Sequence, residues 1–302
     1  MPFLMRLLRC CGALHRLPWL PIISTLVLTG LLGACGTTRL AYNNAPMLTY
    51  WWLDSYFDFD AEQATRVRND LQAVHQWHRQ QELPGIGADL AALKARALQN
   101  ATPEQTCKLA EDVKARVTTA LERMLPTIAA LAPTFTEAQL LHIEREYEKR
   151  NRKWREDFLD GTPDERLDHR FDLLLDRTES FYGKLRPEQR SWLRKQLADT
   201  DYDGQIQYQE MLRRQQDALQ VLRQLRASKA NVAQAQVALA GVLERSAVSP
   251  DPAFRQYLAR LMDQGCAMMN ELHNGMTPPQ RRKLQQSLQD YADDVRVLSN
   301  PR

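Results

Sequence analysis

Residues 167–185 run Leu167-Asp168-His169-Arg170-Phe171-Asp172-Leu173-Leu174-Leu175-Asp176-Arg177-Thr178-Glu179-Ser180-Phe181-Tyr182-Gly183-Lys184-Leu185. Leu167, Phe171, Leu174, Thr178, Phe181 and Leu185 recur in steps of four and three, which sets them on one seam of a helix facing an antiparallel neighbour. The seam is several times longer than an ordinary strand of about 5–6 residues. Similar stripes lie on either side. One holds Leu109, Val113, Val117, Ala120, Met124, Ile128 and Leu131, the next Leu140, Ile143, Tyr147, Trp154 and Phe158, and another Met211, Leu212, Leu219, Leu222 and Leu225. No segment alternates long enough to read as a strand. The 12 glycines among 302 residues are about half the usual share, which is roughly 7%. The sequence therefore predicts an all-α fold, an irregular multi-helix bundle of roughly ten helices with short loops. Breaks are expected near Leu83-Pro84-Gly85, Ala132-Pro133, Gly161-Thr162-Pro163, Asp199–Gly204, Ser249–Pro252 and Asn274-Gly275, and Pro126 is expected to kink or end its helix.

Five segments carry one local pattern. Phe59-Asp60-Ala61-Glu62-Gln63, Ala101-Thr102-Pro103-Glu104-Gln105, Phe135-Thr136-Glu137-Ala138-Gln139, Leu185-Arg186-Pro187-Glu188-Gln189 and Met276-Thr277-Pro278-Pro279-Gln280 each place Gln four residues before an apolar position. The chemistry is that of a helix start. Thr or Asp is the N-cap, Pro fits the first turn, and Gln at the third position returns a hydrogen bond to the cap. Arg186 departs from the capping pattern. The irregular spacing of the segments excludes a regular solenoid.

The first 34 residues hold Arg6, Arg9 and Arg16, no acid, and an apolar run from Trp19 to Leu32. This is the order of a secretory signal, too short to span a bilayer comfortably. Leu32-Gly33-Ala34-Cys35 resembles the lipobox of bacterial lipoproteins. The resemblance implies cleavage before Cys35, a diacylglycerol on its thiol and an N-acyl lipid on its amine. Gly36 in place of Asp implies sorting to the outer membrane, on its periplasmic face. The expected organisation is thus a cleaved signal at 1–34, the lipidated Cys35 with a tether to residue 45, and a helical domain at 46–302, divisible near 199–204. Without the leader, 40 Lys and Arg fall to 37, equal to the 37 Asp and Glu. A body with no net charge and no basic stripe gives no reason to expect nucleic acid. Of five cysteines, Cys10 and Cys11 leave with the leader and Cys35 carries lipid. Cys107 and Cys266 remain in an oxidising compartment. They are a candidate disulfide, whose long loop would contribute roughly 4–5 kcal/mol, or two buried thiols.

The Thr-x-x-Gln starts resemble those of Spy-type periplasmic chaperones, which hold unfolding clients without ATP. The wider set, Trp51-Trp52-Leu53-Asp54-Ser55-Tyr56, His75-Gln76-Trp77-His78-Arg79, Glu82-Leu83-Pro84 and Leu272-His273-Asn274 together with the lipobox, is similar to a family of proteobacterial outer-membrane lipoproteins of unassigned function. That likeness implies location and helical fold, and no activity.

Several segments are candidates for chemistry. Asp199-Thr200-Asp201-Tyr202-Asp203-Gly204, with Gln205 and Glu210, matches the spacing of a calcium loop, in which alternate carboxylates converge on a hard cation. The competing reading is a helix cap by Asp201 or Asp203, with Glu210 facing solvent. His75, His78 and Glu82 share one helix face at metal-ligand spacing, with packing as the alternative. Glu179-Ser180 is similar to the Glu-Ser of helical lytic transglycosylases, but the glycine-rich motifs that should follow are missing. Tyr50-Trp51-Trp52, Tyr56, Phe57 and Phe59 are expected to be core, with the membrane interface as the alternative. The charge-dense run 144–157 reads as a solvated face, and Asn151 on its seam as a register device. The expected function is non-catalytic: a lipid-anchored scaffold, adaptor or chaperone-like protein bound to an envelope partner or unfolded client. An enzyme acting on cell wall or lipid, and a calcium-stabilised adaptor, are the alternatives.

Overall fold

The computed structural model describes residues 34–300. Among these residues no strand occurs, and the fold is an all-α multi-helix bundle. Ala34–Asn43 (α1) belongs to a separate unit, residues 1–43; residues 44–302 form the compact body. The body consists of Ala45–Phe57 (α2), Ala61–Trp77 (α3), Leu83–Arg96 (α4), Pro103–Leu131 (α5), Glu137–Phe158 (α6), Pro163–Tyr182 (α7), Pro187–Ala198 (α8), Gly204–Ala227 (α9), Val232–Ala247 (α10), Pro252–Asn274 (α11) and Pro278–Ser299 (α12). Residues 1–33 of the expected leader and the side chain of Cys35 lie outside the described residues.

Most expected breaks are where the turn chemistry put them; one is not, and Pro126 does not end its helix. The chain does not stop at Leu83-Pro84-Gly85. A five-residue π turn, His78–Glu82, carries α3 directly into α4. Pro84 lies in the first turn of α4, where its missing N–H costs little. Pro126 likewise stays inside α5, which runs unbroken to Leu131 before a single 3-10 turn at Ala132–Thr134. One break went unread: Lys229 turns with φ 50°, and Asn231 with Gln234 forms a capping box that starts α10.

Two hydrophobic cores are built. The first joins α2, α3, α5, α6, α9 and α10 through Tyr50, Val67, Leu125, Leu140, Leu222 and Leu239. The second joins α7, α8 and α11 through Phe171, Leu175, Leu193, Leu197, Met268 and Leu272. The chain visits the first core, then the second, and each again, so the expected division near 199–204 does not separate them.

Four of the five motif glutamines pair across these cores. Gln139 Nε2 donates to Gln63 Oε1 at 2.6 Å and to the Asp58 carbonyl at 2.9 Å. Gln189 and Gln280 donate to each other at 3.0 and 2.8 Å. Each Oε1 also takes the N–H of its own cap, at Asp60, Thr136, Arg186 and Thr277. The spare donors reach the residue two before the partner's cap: Thr134 Oγ1 for Gln63, and the carbonyls of Gly275 for Gln189 and Lys184 for Gln280. Arg186 has no acceptor to offer, so only the returning half of that box forms. A third amide pair, Asn151 with Gln215 at 2.8 Å in both directions, fixes α6 against α9. Asn151 is buried on the seam, in the register role expected of it.

Candidate functional site

The stripe on α5 behaves differently in its two halves. Met124 and Ile128 pack on the first core and Leu131 is buried in it, but Leu109, Val113 and Val117 are exposed. Val113, read as core from its spacing, is 56% exposed. Facing this half across a cleft of about 640 Å³ are Ile86, Leu90 and Leu93 of α4. The cleft stays open because its walls pack elsewhere. Helix α4 lies against α12, and α5 against α10 and α11. Gly87 lets α4 approach closely, since a Cβ there would meet Val295 at 3.3 Å.

The rim alternates in sign. Glu104, Lys108, Asp112 and Arg116 follow one another at four-residue spacing along α5, each within a residue or so of the apolar stripe. Lys108 pairs with Asp112. Arg116 bridges the cleft, holding Glu82 at 3.1 Å and Asp89 on the far wall. It docks onto the π turn, over Gly85. Such turns are inserted where a helix must re-aim its side chains. Here the turn swings Glu82 and half-buried His78 toward the end of the cleft. Burial pushes the His78 pKa below its ordinary value, against the pull of Glu82. His75, His78 and Glu82 do not assemble into a metal site; among the described residues no group of three or more His, Cys, Asp or Glu could hold an ion.

The far end of the cleft is pinned twice. Cys107 on α5 is joined to Cys266 on α11, with Cα atoms 5.3 Å apart. The connection before α5 is held by His273-Asn274. Asn274 exchanges two hydrogen bonds with the Ala101 backbone, at 2.9 and 3.0 Å. His273 Nε2 donates to the Gln99 carbonyl at 2.8 Å, so its Nδ1 accepts from the Tyr182 hydroxyl at 2.9 Å. Burial lowers the His273 pKa and raises that of Tyr182 to about 12, so both stay neutral in that chain.

The loop 199–204 takes the form of the competing reading, a helix cap, except that Glu210 is buried where that reading had it facing solvent. Asp203 caps α9, accepting from the N–H groups of Gln205 and Ile206 at 2.7 and 3.2 Å. Asp199 pairs with Lys195 at 2.9 Å and Asp201 with Arg260 at 3.3 Å. The Gln205 backbone is helical. Glu210 does not turn back to the loop. It is buried, gripped by Arg213 through two bonds of 2.8 Å, by Arg214 at 2.8 Å and by Ser249 at 3.1 Å. Burial alone would raise its pKa; those donors outweigh it and hold the carboxyl at about 2. Gly204 is needed for packing, because a Cβ would stand 2.8 Å from the Phe158 carbonyl. The spacing that suggested a cation belongs to a cap followed by a buried ion-pair cluster.

Glu179 closes the turn after α7, taking the Leu185 N–H at 3.0 Å and the Lys184 ammonium at 2.5 Å. Lys184 holds its pKa below the ordinary range, despite some opposing burial, the reverse of what a general acid requires. The aromatic run is split. Tyr50 is buried, and Leu53, Phe57 and Phe59 pack on the first core, but Trp51 and Trp52 are 58% and 54% exposed, against the expectation of core.

Fold and site together describe a helical protein with an open apolar cleft. A family model described as a family of unknown function (DUF6279) matches residues 55–233, and the chain belongs to that family. The match includes both walls of the cleft and Cys107 and ends before Cys266 and Gln280. No curated protein and no solved structure matches the chain.

Proposed function

We propose that this chain is a lipid-anchored protein of the periplasmic face of the outer membrane, without catalysis, which holds an apolar helical segment of a client in the cleft between α4 and α5. The observation that carries the reading is the cleft itself. Leu109, Val113 and Val117 are solvent-exposed at four-residue spacing between helical walls, with Ala120 at the end of the row. An amphipathic helix lays its apolar face into such a groove at the same spacing. The alternating rim, Glu104, Lys108, Asp112 and Arg116, offers partners to either sign of charge on that helix. It selects for amphipathicity more than for net charge, as suits a protein that receives unfolded chains. The anchored location rests on the leader and Cys35.

The test is suppression of aggregation of reduced insulin, followed by light scattering at equimolar chain. The wild type should suppress it. Val113→Glu, at an exposed position, should lose most of that effect while its thermal melt stays unchanged. Equal suppression by both would remove the cleft from the function; no suppression by the wild type would remove client holding.

A further inference from the structure

A helix that is apolar all round has to cover every side. Helix α2, Ala45–Phe57, has only one charged residue, Asp54, and that accepts the Phe59 N–H at 3.1 Å. One side, with Pro46, Tyr50, Leu53 and Phe57, is covered by the protein. Met47, Leu48, Trp51, Trp52 and Ser55 fall in a sector of about 140° on the other, and all five are exposed. We propose that this face of α2 docks on the bilayer surface, with Trp51 and Trp52 at the level of the lipid headgroups.

Three observations favour a bilayer over another protein. The face is made of the residue types that sit at the membrane boundary, two indoles beside Met and Leu. Two guanidinium groups bracket the helix. Arg68 lies 4.1 Å over the ring of Tyr50, and Arg150 4.0 Å over that of Tyr56. Both carry the charge with which a lipid phosphate pairs. Third, Met47 follows Cys35 by twelve residues. Even fully extended, that chain reaches only about 40 Å, so an acylated Cys35 keeps α2 close to the membrane. The last point rests on the anchored reading above; the first two do not. Docking would fix the body against the membrane and so orient the cleft, in place of a head swinging on a tether.

The experiment uses chain extracted from membranes and reconstituted into phosphatidylethanolamine–phosphatidylglycerol vesicles, with and without bromine on the acyl chains. Intact mass reads acylation of Cys35 separately. Trp51 and Trp52 are two of the five tryptophans beyond the leader, so brominated lipid should remove their share of the emission. Trp51→Phe/Trp52→Phe should abolish the loss. Leu48→Glu, which keeps both fluorophores at an exposed site, should reduce it several-fold. Quenching lost in these variants supports docking even in chain with an unacylated mass, which would remove only the anchor. Quenching equal in wild type and variants, or absent from both, overturns it. Emission indifferent to bromine but shifted to the blue as protein concentration rises would assign the face to a second copy, and equally overturn it.

Discussion

Gln189 and Gln280 form a closed amide pair in the second core, each donating to the other while its own Oε1 holds a helix cap. Each side chain therefore caps its own helix start and is tied to the start 91 residues away. Gln63 and Gln139 link two starts in the first core by a one-way bond, Gln139 Nε2 donating to Gln63 Oε1 while Gln63 Nε2 turns to Thr134 Oγ1. A buried donor left without its partner costs about 1–3 kcal/mol. Gln189→Ala should destabilise by about 2–3 kcal/mol, because it strands one N–H of the Gln280 amide and the Arg186 N–H together. Adding Gln280→Ala should cost clearly less than a second independent loss, since the pair acts as a unit. Urea melts of the two single variants and the double variant read the coupling; strict additivity would contradict it.

The motif was visible in the sequence, and so was its capping role. What the sequence did not carry was the pairing. Phe135–Gln139 differs locally from Ala101–Gln105 in the residue before the cap, a large apolar side chain in all four pairing motifs and alanine in the fifth; that marks Gln139 for burial and leaves Gln105 exposed, but it does not say which glutamine is the partner. Partner choice is a tertiary fact. The same limit hid the cleft. Apolar spacing places Val113 and Ile128 on one face of α5, but what covers that face depends on where α4 docks. Local chemistry fared better: the caps at Thr102, Thr136, Thr162 and Thr277 form as their residues dictate. The calcium-like spacing misled because alternate aspartates serve a cap and two ion pairs equally well.

Acid should unfold the body in two stages with separate causes. His273 has a folded pKa below its ordinary 6.5. It contributes stability that is complete above that value and fades as pH falls below it. Glu210, held at about 2 against an ordinary 4.5, contributes above 4.5 and loses that contribution between 4.5 and 2. Glu210→Gln leaves behind two arginines that reach solvent, so the loss is that of charge-assisted hydrogen bonds, about 1.5–3 kcal/mol. It should lower Tm at pH 7 by roughly 3–10 °C and flatten the loss below pH 4.5. His273→Gln should flatten only the stage that begins as pH falls below 6.5. Melts across pH 3–8 check both. A Glu210→Gln profile parallel to wild type would show that this carboxylate is not the acid-sensitive group.

Calcium should not stabilise the body. Ligand at about a hundred times its dissociation constant adds roughly 2.7 kcal/mol, an easily measured shift. The carboxylates of Asp199, Asp201 and Asp203 are committed to Lys195, Arg260 and the α9 cap. Melts in millimolar calcium and in chelator should coincide, and Asp203→Ala should cost about 1 kcal/mol through the lost cap in either solution. A calcium-dependent rise in Tm that disappears in Asp201→Ala would restore a cation to the loop.

Reduction should loosen one wall of the cleft before it unfolds the protein. The Cys107–Cys266 bond closes a loop of 159 residues; the chain-entropy model gives about 5 kcal/mol for it, and losses of roughly 2–5 kcal/mol are usual on removal. The local effect follows from position. Residues 107–121 of α5 have an exposed apolar side and are fastened at their start by this bond, whereas Leu125 to Leu131 are fastened by the core. Opening costs least where buried contacts are fewest. In Cys107→Ser/Cys266→Ser, amide exchange should accelerate over about the first four turns of α5 and remain near wild type beyond Leu125. If the double variant also loses suppression of insulin aggregation, the disulfide keeps the client-facing half of α5 in place. Uniform acceleration across α5 would instead mean that the bond stabilises the body only globally.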